Sequence, residues 1–224
     1  MAPRYYRTQQ PKGLSHVLNV EIDANYSRDE VTYAAPGVDE TTEYEPGTVL
    51  GRILLNSTIA TAKTGTGNGT RSNVALGAHA QSGVYRAVYV DDAAFLWDVF
   101  DPSGAFIGQA TNGALFTSPQ IAFQIAQGGT VWVEGDLVEF TVSVGSKKAV
   151  PIDFAATDGS QNFYGIAGAY CVVEGETDQK SFAIARGAVL VQDQLVWPEG
   201  ATDAQKAAAL AQAEIRGLIA RRSA

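Results

Sequence analysis

The sequence predicts a mainly β chain with a C-terminal α-helix: a small β/α core interrupted by an inserted antiparallel β-sandwich or barrel-like domain. Three observations carry this expectation. Short β-branched or alternating runs bounded by Pro-Gly turns fill residues 13–61, and the same texture returns after Lys147. Between them, strand candidates and turn residues alternate every ~8–12 positions, as in a sandwich or small barrel. One Ala-rich segment near the end is capped as a helix.

Residues 1–12 read as a flexible N-terminal arm. They are polar, aromatic and punctuated by proline, with no periodic apolar pattern to fold around. Arg4, Arg7 and Lys12 make the arm basic, and it contains no acid. Residues 13–61 form the first part of the core. Val17 to Ile22, Glu30 to Tyr33 and Thr48 to Leu55 read as strands, and Pro36-Gly37 and Pro46-Gly47 as turns.

Residues 62–147 form the inserted β-domain. Thr64-Gly65-Thr66-Gly67-Asn68-Gly69-Thr70 is a flexible, turn-rich lead-in. The strands expected after it are Gly83 to Val90, Phe95 to Phe100, Ala105 to Ile107, Ile121 to Ala126 and Leu137 to Val144. Turns fall at Asp101-Pro102-Ser103-Gly104, Thr111-Asn112-Gly113 and Gln127-Gly128-Gly129.

Residues 148–224 complete the core. Ala188 to Val191 is a strand, Trp197-Pro198 a stop and Glu199-Gly200 a turn. Thr202 and Gln205 stand at capping-box spacing: the hydroxyl takes a free backbone amide while the Gln amide reaches back. Leu210, Ala213, Ile215, Leu218 and Ile219 supply the apolar positions of the helix that follows, and Trp197 is expected to bury its ring against it.

Composition excludes several classes of function. The 224-residue chain has a formal net charge of -8, opposite in sign to what phosphate binding needs, so nucleic acid is not an expected partner. A single cysteine rules out a disulfide within the chain. Cys171 lies in the apolar run Ala169 to Val173 and reads as a buried, inert thiol. No apolar run approaches the ~20 residues that span a bilayer, so no membrane association is expected. Met1 to Gly13 lacks the apolar centre of a secretion signal, which points to synthesis in a cytoplasm.

The chemistry-bearing residues do not converge. His16 and His79 are far apart and have no Cys or acidic neighbours at ligand spacing, so no metal site is expected. No serine sits in a nucleophile-elbow context. Thr64 to Thr70 is Gly-rich but lacks the phosphate-loop lysine and a following helix. Asp91-Asp92 and Asp98 with Asp101 are the only carboxylate pairs worth weighing, and Asp101 and Asp136 read better as turn residues. The expectation is a protein with no cofactor and no enzymatic activity. Trp97, Phe100 and Trp132 alternate with polar residues and read as core. If they stood exposed on one face they would form a sugar platform.

Three blocks carry a family resemblance: Pro46-Gly47-Thr48-Val49-Leu50-Gly51, Asp158 to Ile166 with its Asp-Gly-Ser-Gln start, and Trp197 to Leu210 with Trp-Pro and Gln-Lys-Ala-Ala. Their order resembles that in the head decoration proteins of lambda-like tailed bacteriophages. The last block is the most specific. The chain departs from the compact members in the long segment between Leu55 and Val150. That segment looks like a module carried inside many phage decoration proteins. Its matching pieces are Gly65 to Thr70, Leu76-Gly77, Gly83-Val84-Tyr85, Val99 to Gly104, Gly128-Gly129 and Gly135-Asp136.

The resemblance implies a structural virion protein, a capsid decoration or cement protein. As a homotrimer on the outer surface of the expanded viral capsid, it would resist the pressure of packed DNA. Its implied partners are the major capsid protein and itself. The arm would make the shell contact through Arg4, Tyr5, Tyr6, Arg7, Pro11 and Leu14, with the tyrosines as anchors. The alternative reading is a glycan- or host-binding β-module mounted on the capsid, with surface glycans as partners. A virion-associated hydrolase working through a carboxylate pair is a further rival.

Overall fold

The structure, a computed structural model, describes residues 12–222. In chain order the first elements are helix α1 (Leu14–Val17), strand β1 (Leu18–Glu21), helix α2 (Ala24–Ser27) and strands β2 (Arg28–Tyr33), β3 (Thr41–Tyr44) and β4 (Val49–Arg52). Eight strands follow: β5 (Leu55–Thr64), β6 (Arg71–Leu76), β7 (Gly83–Asp91), β8 (Leu96–Phe100), β9 (Phe106–Thr111), β10 (Leu115–Thr117), β11 (Ile121–Ile125) and β12 (Leu137–Val144). The chain then runs through β13 (Ala149–Pro151), β14 (Gly165–Ala167), β15 (Cys171–Glu174), β16 (Gln179–Ile184) and β17 (Ala188–Val191). A 3-10 turn at Gln192–Gln194, helix α3 (Asp203–Ile215) and strand β18 (Leu218–Arg221) complete it. The protein is thus mainly β with one long helix near its C-terminus, as the sequence predicts.

The chain divides into two compact units. One holds the described residues up to Arg52, Lys148–Phe154 and Ser160 onward; the other holds Ile53–Lys147 and Ala155–Gly159. In the first unit, β13, β2, β16, β14 and β4 close into a small barrel. Val31, Tyr33, Leu50, Ala149, Ala167 and Ala183 are fully or nearly fully buried around it. A three-stranded sheet, β1-β17-β18, and a two-stranded ladder, β15-β3, flank it. A second apolar cluster joins Val17, Leu190, Leu195 and Leu218 to Ala209 and Ala213 of α3.

The second unit is a two-layer sandwich. A five-stranded sheet, β5-β12-β7-β8-β9, and a three-stranded sheet, β10-β11-β6, are antiparallel throughout. Alternate residues of both sheets fill one core: Tyr85, Tyr89, Trp97, Val138 and Phe140 from the larger, Phe116, Ile121, Phe123 and Ile125 from the smaller. Trp97 meets two aromatics edge-on or tilted, with Trp97 and Trp132 ring centroids 4.9 Å apart at 78° and Tyr89 and Trp97 also 4.9 Å apart. These are the orientations the ring quadrupoles favour.

Several sequence expectations need correction. The helix stops at Ile215 and does not run through Leu218 and Ile219. Gly217, at φ 73°, adopts the left-handed conformation that ends helices, and its amide bonds back to the Glu214 carbonyl. The chain then continues as β18, paired parallel with β17, with Leu218 opposite Ala188. Leu218 is therefore a core residue of a sheet, while Ile215 is 88% exposed. The run Thr48 to Leu55 is not one strand. It breaks after Arg52, so that β4 belongs to the barrel and β5 to the sandwich. Val17 closes a helical turn ahead of β1, and Ala105 to Ile107 is replaced by a longer strand, Phe106–Thr111. Cys171 is half-buried, and burial raises its thiol pKa. Trp197 packs beside Phe154, ring centroids 6.4 Å apart, at the edge of the cluster that contains α3.

Candidate functional site

Among the described residues, the carboxylate pairs weighed above do not form a catalytic constellation. Among the described residues, no three His, Cys, Asp or Glu side chains are grouped to hold a metal ion. No helix among them is long and apolar enough to cross a membrane. The Asp98 and Asp101 carboxylates have separate tasks. Asp98 accepts from the Gln109 side-chain amide at 2.9 Å. Asp101 is nearly buried and closes the Pro102-Ser103-Gly104 turn, accepting from the Ser103 hydroxyl at 2.6 Å and the amides of Ser103 and Ala105 at 2.9 Å. The Ser103 hydroxyl, helped by those amides and the Gln120 side chain, holds its pKa below the ordinary carboxylate value. A carboxylate held in its charged form this way is a turn clamp and a poor proton donor.

Asp136 does the same on a larger scale. Its buried carboxylate accepts from the Thr66 amide at 3.0 Å, the Gly67 amide at 2.9 Å and the Val133 amide at 3.1 Å. Desolvation works to raise its pKa, but the Gly67, Val133 and Thr66 amides outweigh it, and the net shift is downward. The Gly-rich lead-in, expected to be flexible, is thus tied to a buried anion. Its glycines are needed for close approach: a Cβ on Gly67 would lie 2.1 Å from the Trp132 ring.

The aromatic residues do not stand exposed on one face, as a sugar platform would require. Trp97 and Trp132 are buried, and Phe100 is half-buried in an edge-to-face pair with the exposed Phe106, 5.9 Å between centroids.

Two surface features of the first unit remain. One is a shallow apolar groove of ≈ 120 Å³ on the β1-β17-β18 sheet, lined by Val20, Ile22, Val189 and Ile219 with Gly187 and Gly217. Val20, Ile22 and Ile219 are 55%, 77% and 43% exposed. The other is a cleft of ≈ 270 Å³ lined by Glu43, Glu45, Thr48, Pro151, Trp197 and Pro198 among others. It lies along the Thr48–Val196 bridge, where the Val196 amide bonds the Gly47 carbonyl at 2.9 Å. Lys12 is close by, with its ammonium donating to the carbonyl of Gln194, two residues before the lining residue Val196. Partial burial lowers the Lys12 pKa, and the charge of Glu45 offsets part of that shift.

Of the residues expected to touch a shell, Leu14 opens α1 and packs, half-buried, against the Val17 and Leu195 cluster. Arg4, Tyr5, Tyr6, Arg7 and Pro11 lie outside the described residues. The two surface features went unread in the sequence. Glu43 lies within the short strand β3 and Glu45 directly follows it, and Ile219 reads as part of a helix in the sequence.

The model of the family described as bacteriophage lambda head decoration protein D matches residues 7–218, nearly the whole chain. The chain belongs to this family. It is a structural head decoration protein, associated with a phage capsid and located on the outer surface of the virion head. No curated protein matches the chain. Two solved structures are similar over part of it, both crystal structures of Xanthomonas campestris FlgL. That in space group H3 has 16% identity and a TM-score of 0.31, covering 45% of this chain and 34% of that one. That in space group C2 has 17% identity and a TM-score of 0.27, covering 53% and 32%. The decoration protein spans about a third of the length of these FlgL chains, and a likeness of this degree carries no argument.

Proposed function

We propose that this decoration protein works as a homotrimeric cement. It seats on the outside of the expanded head, bridges neighbouring copies of the major capsid protein and stabilises the shell against the pressure of packed DNA. The family match over residues 7–218 carries this reading. The physical logic is multivalency: three modest, tethered contacts raise avidity by ~10²–10⁴ without new chemistry. Residues 1–12 act as the shell-engaging arm, adding a strand to an open sheet edge. The apolar groove of Val20, Ile22 and Ile219 supports self-association, since contiguous apolar surface of this kind marks contact sites. Ile22→Asp is then expected to convert a sedimenting trimer to monomer at concentrations where the parent is trimeric. Burying one Ile side chain is worth about 1.5–3 kcal/mol, so the dissociation constant should rise at least ~10-fold. A variant that sediments as the parent does would remove this face from the interface.

We also propose that Ile53–Lys147 is an insertion into an otherwise continuous core. The support is geometric. Arg52 ends β4 and faces Ala149 of β13 in antiparallel register, and such partners stand only ~4.5–5.5 Å apart. Joining Arg52 to Lys148 by a short Gly-Ser turn would therefore make a simple hairpin. The shortened chain is expected to stay soluble, fold with a cooperative transition and still decorate expanded heads. Aggregation under conditions that keep the parent soluble would show that the barrel depends on the insertion. Binding is tested by incubating purified protein with undecorated expanded heads and measuring co-sedimented protein; no retention above the background without heads would contradict the cement reading.

A further inference from the structure

The cleft beside Lys12 and the sequence that precedes Lys12 are complementary. Glu43 and Glu45 are exposed on the cleft's margin, and among the described residues neither is in a salt bridge. Trp197, Pro151 and Pro198 give it an apolar, half-exposed wall. Residues 1–11 hold Arg4 and Arg7, Tyr5 and Tyr6, and no carboxylate. They join the fold at Lys12, whose ammonium is bonded to Gln194, two residues from the lining residue Val196, and which feels the lining residue Glu45. An extended chain reaches about 3.3–3.6 Å per residue, so Tyr5 and Tyr6 reach the cleft with slack.

We propose that this cleft is the resting dock of the chain's own N-terminal segment, with Tyr5 and Tyr6 against Trp197 and the prolines, and Arg4 and Arg7 against Glu43 and Glu45. Exposed ion pairs are weak singly, but a short tether keeps the segment at roughly millimolar effective concentration. A dock of modest strength is then occupied in the free protein and yields when a shell offers backbone partners. It also shields a basic, aromatic segment from incidental anionic surfaces until a head is met. The contact forms in the free chain, so its absence would leave the shell-binding reading untouched.

The test uses the full chain labelled with ¹⁵N-tryptophan. Its three tryptophans give three indole N–H signals, of which Trp97 and Trp132 are buried in the second unit and serve as references. The Trp197 signal is expected to shift by more than a linewidth, in a common direction, in Tyr5→Ala/Tyr6→Ala, in Arg4→Gln/Arg7→Gln and in Glu43→Gln/Glu45→Gln. High salt should produce the same shift in the parent, and the reference signals should stay in place. The parent spectrum should not change on dilution. A Trp197 signal indifferent to the arm substitutions overturns the dock. A shift that fades on dilution overturns it in favour of a segment supplied by a second copy.

Discussion

Removing residues 1–11 is expected to leave both units folded and to lower occupancy on expanded heads by ~10²-fold or more. The size follows from repetition: if the protein is the proposed trimer, losing one contact per protomer removes the avidity gain of ~10²–10⁴ that tethering provides. The fold should survive because Lys12 and α1 remain, and Leu14, Val17 and Leu195 keep their packing. Ordering the segment costs roughly 1–2 kcal/mol per backbone residue, so it contributes only where main-chain hydrogen bonds and anchored side chains offset that cost. Tyr5→Ala with Tyr6→Ala should reproduce part of the loss. Co-sedimentation with heads, compared with the thermal transition of the free protein, separates binding from folding. Equal occupancy by truncated and full-length protein would move the shell contact onto the folded first unit.

Replacing Asp136 by alanine should destabilise the second unit by about 1–3 kcal/mol, since three amides lose a charged acceptor and one of them, the buried Gly67 amide, is stranded, at a cost of about 1–3 kcal/mol. The loop from Thr66 would lift from Trp132, so near-ultraviolet dichroism should weaken along with the denaturation midpoint. The pH dependence has a definite sign. The Asp136 carboxyl is held below its unfolded value. Its contribution is therefore fully present above the ordinary aspartate value of about 3.9 and is lost as pH falls through the lower folded value. The stability difference between parent and Asp136→Ala should be constant from neutral pH down to that range and shrink below it. A loss under about 1 kcal/mol at neutral pH would mean that water replaces the carboxylate at little cost.

Much of the fold was legible because local chemistry and tertiary structure agree. The Thr202–Gln205 capping box forms as its spacing requires, with the Gln205 amide donating to the Thr202 hydroxyl at 3.3 Å and the Thr202 amide to the Gln205 side chain at 2.9 Å. The alternation of Leu137 to Val144 places Val138, Phe140 and Val142 in the sandwich core. What stayed hidden depends on distant partners. The strand β3, Thr-Thr-Glu-Tyr, is short and half polar, and exists by pairing with Cys171–Glu174. Leu218–Arg221 looks like more helix until Gly217 and the parallel pairing with β17 are known. The Gly-rich stretch looks flexible until Asp136, seventy positions away, is seen to hold the Thr66 amide. The surface features share this character. The cleft draws Glu43, Pro151 and Trp197 from separate stretches of sequence, so no local pattern announces it.

The central claim is tested most directly by electron cryomicroscopy of undecorated expanded heads incubated with the full-length protein. The cement reading predicts three copies at each local three-fold position on the outer surface. N-terminal density should be continuous with a capsid-protein sheet edge. Heads without added density, or with isolated single copies bridging no capsid subunits, would contradict it.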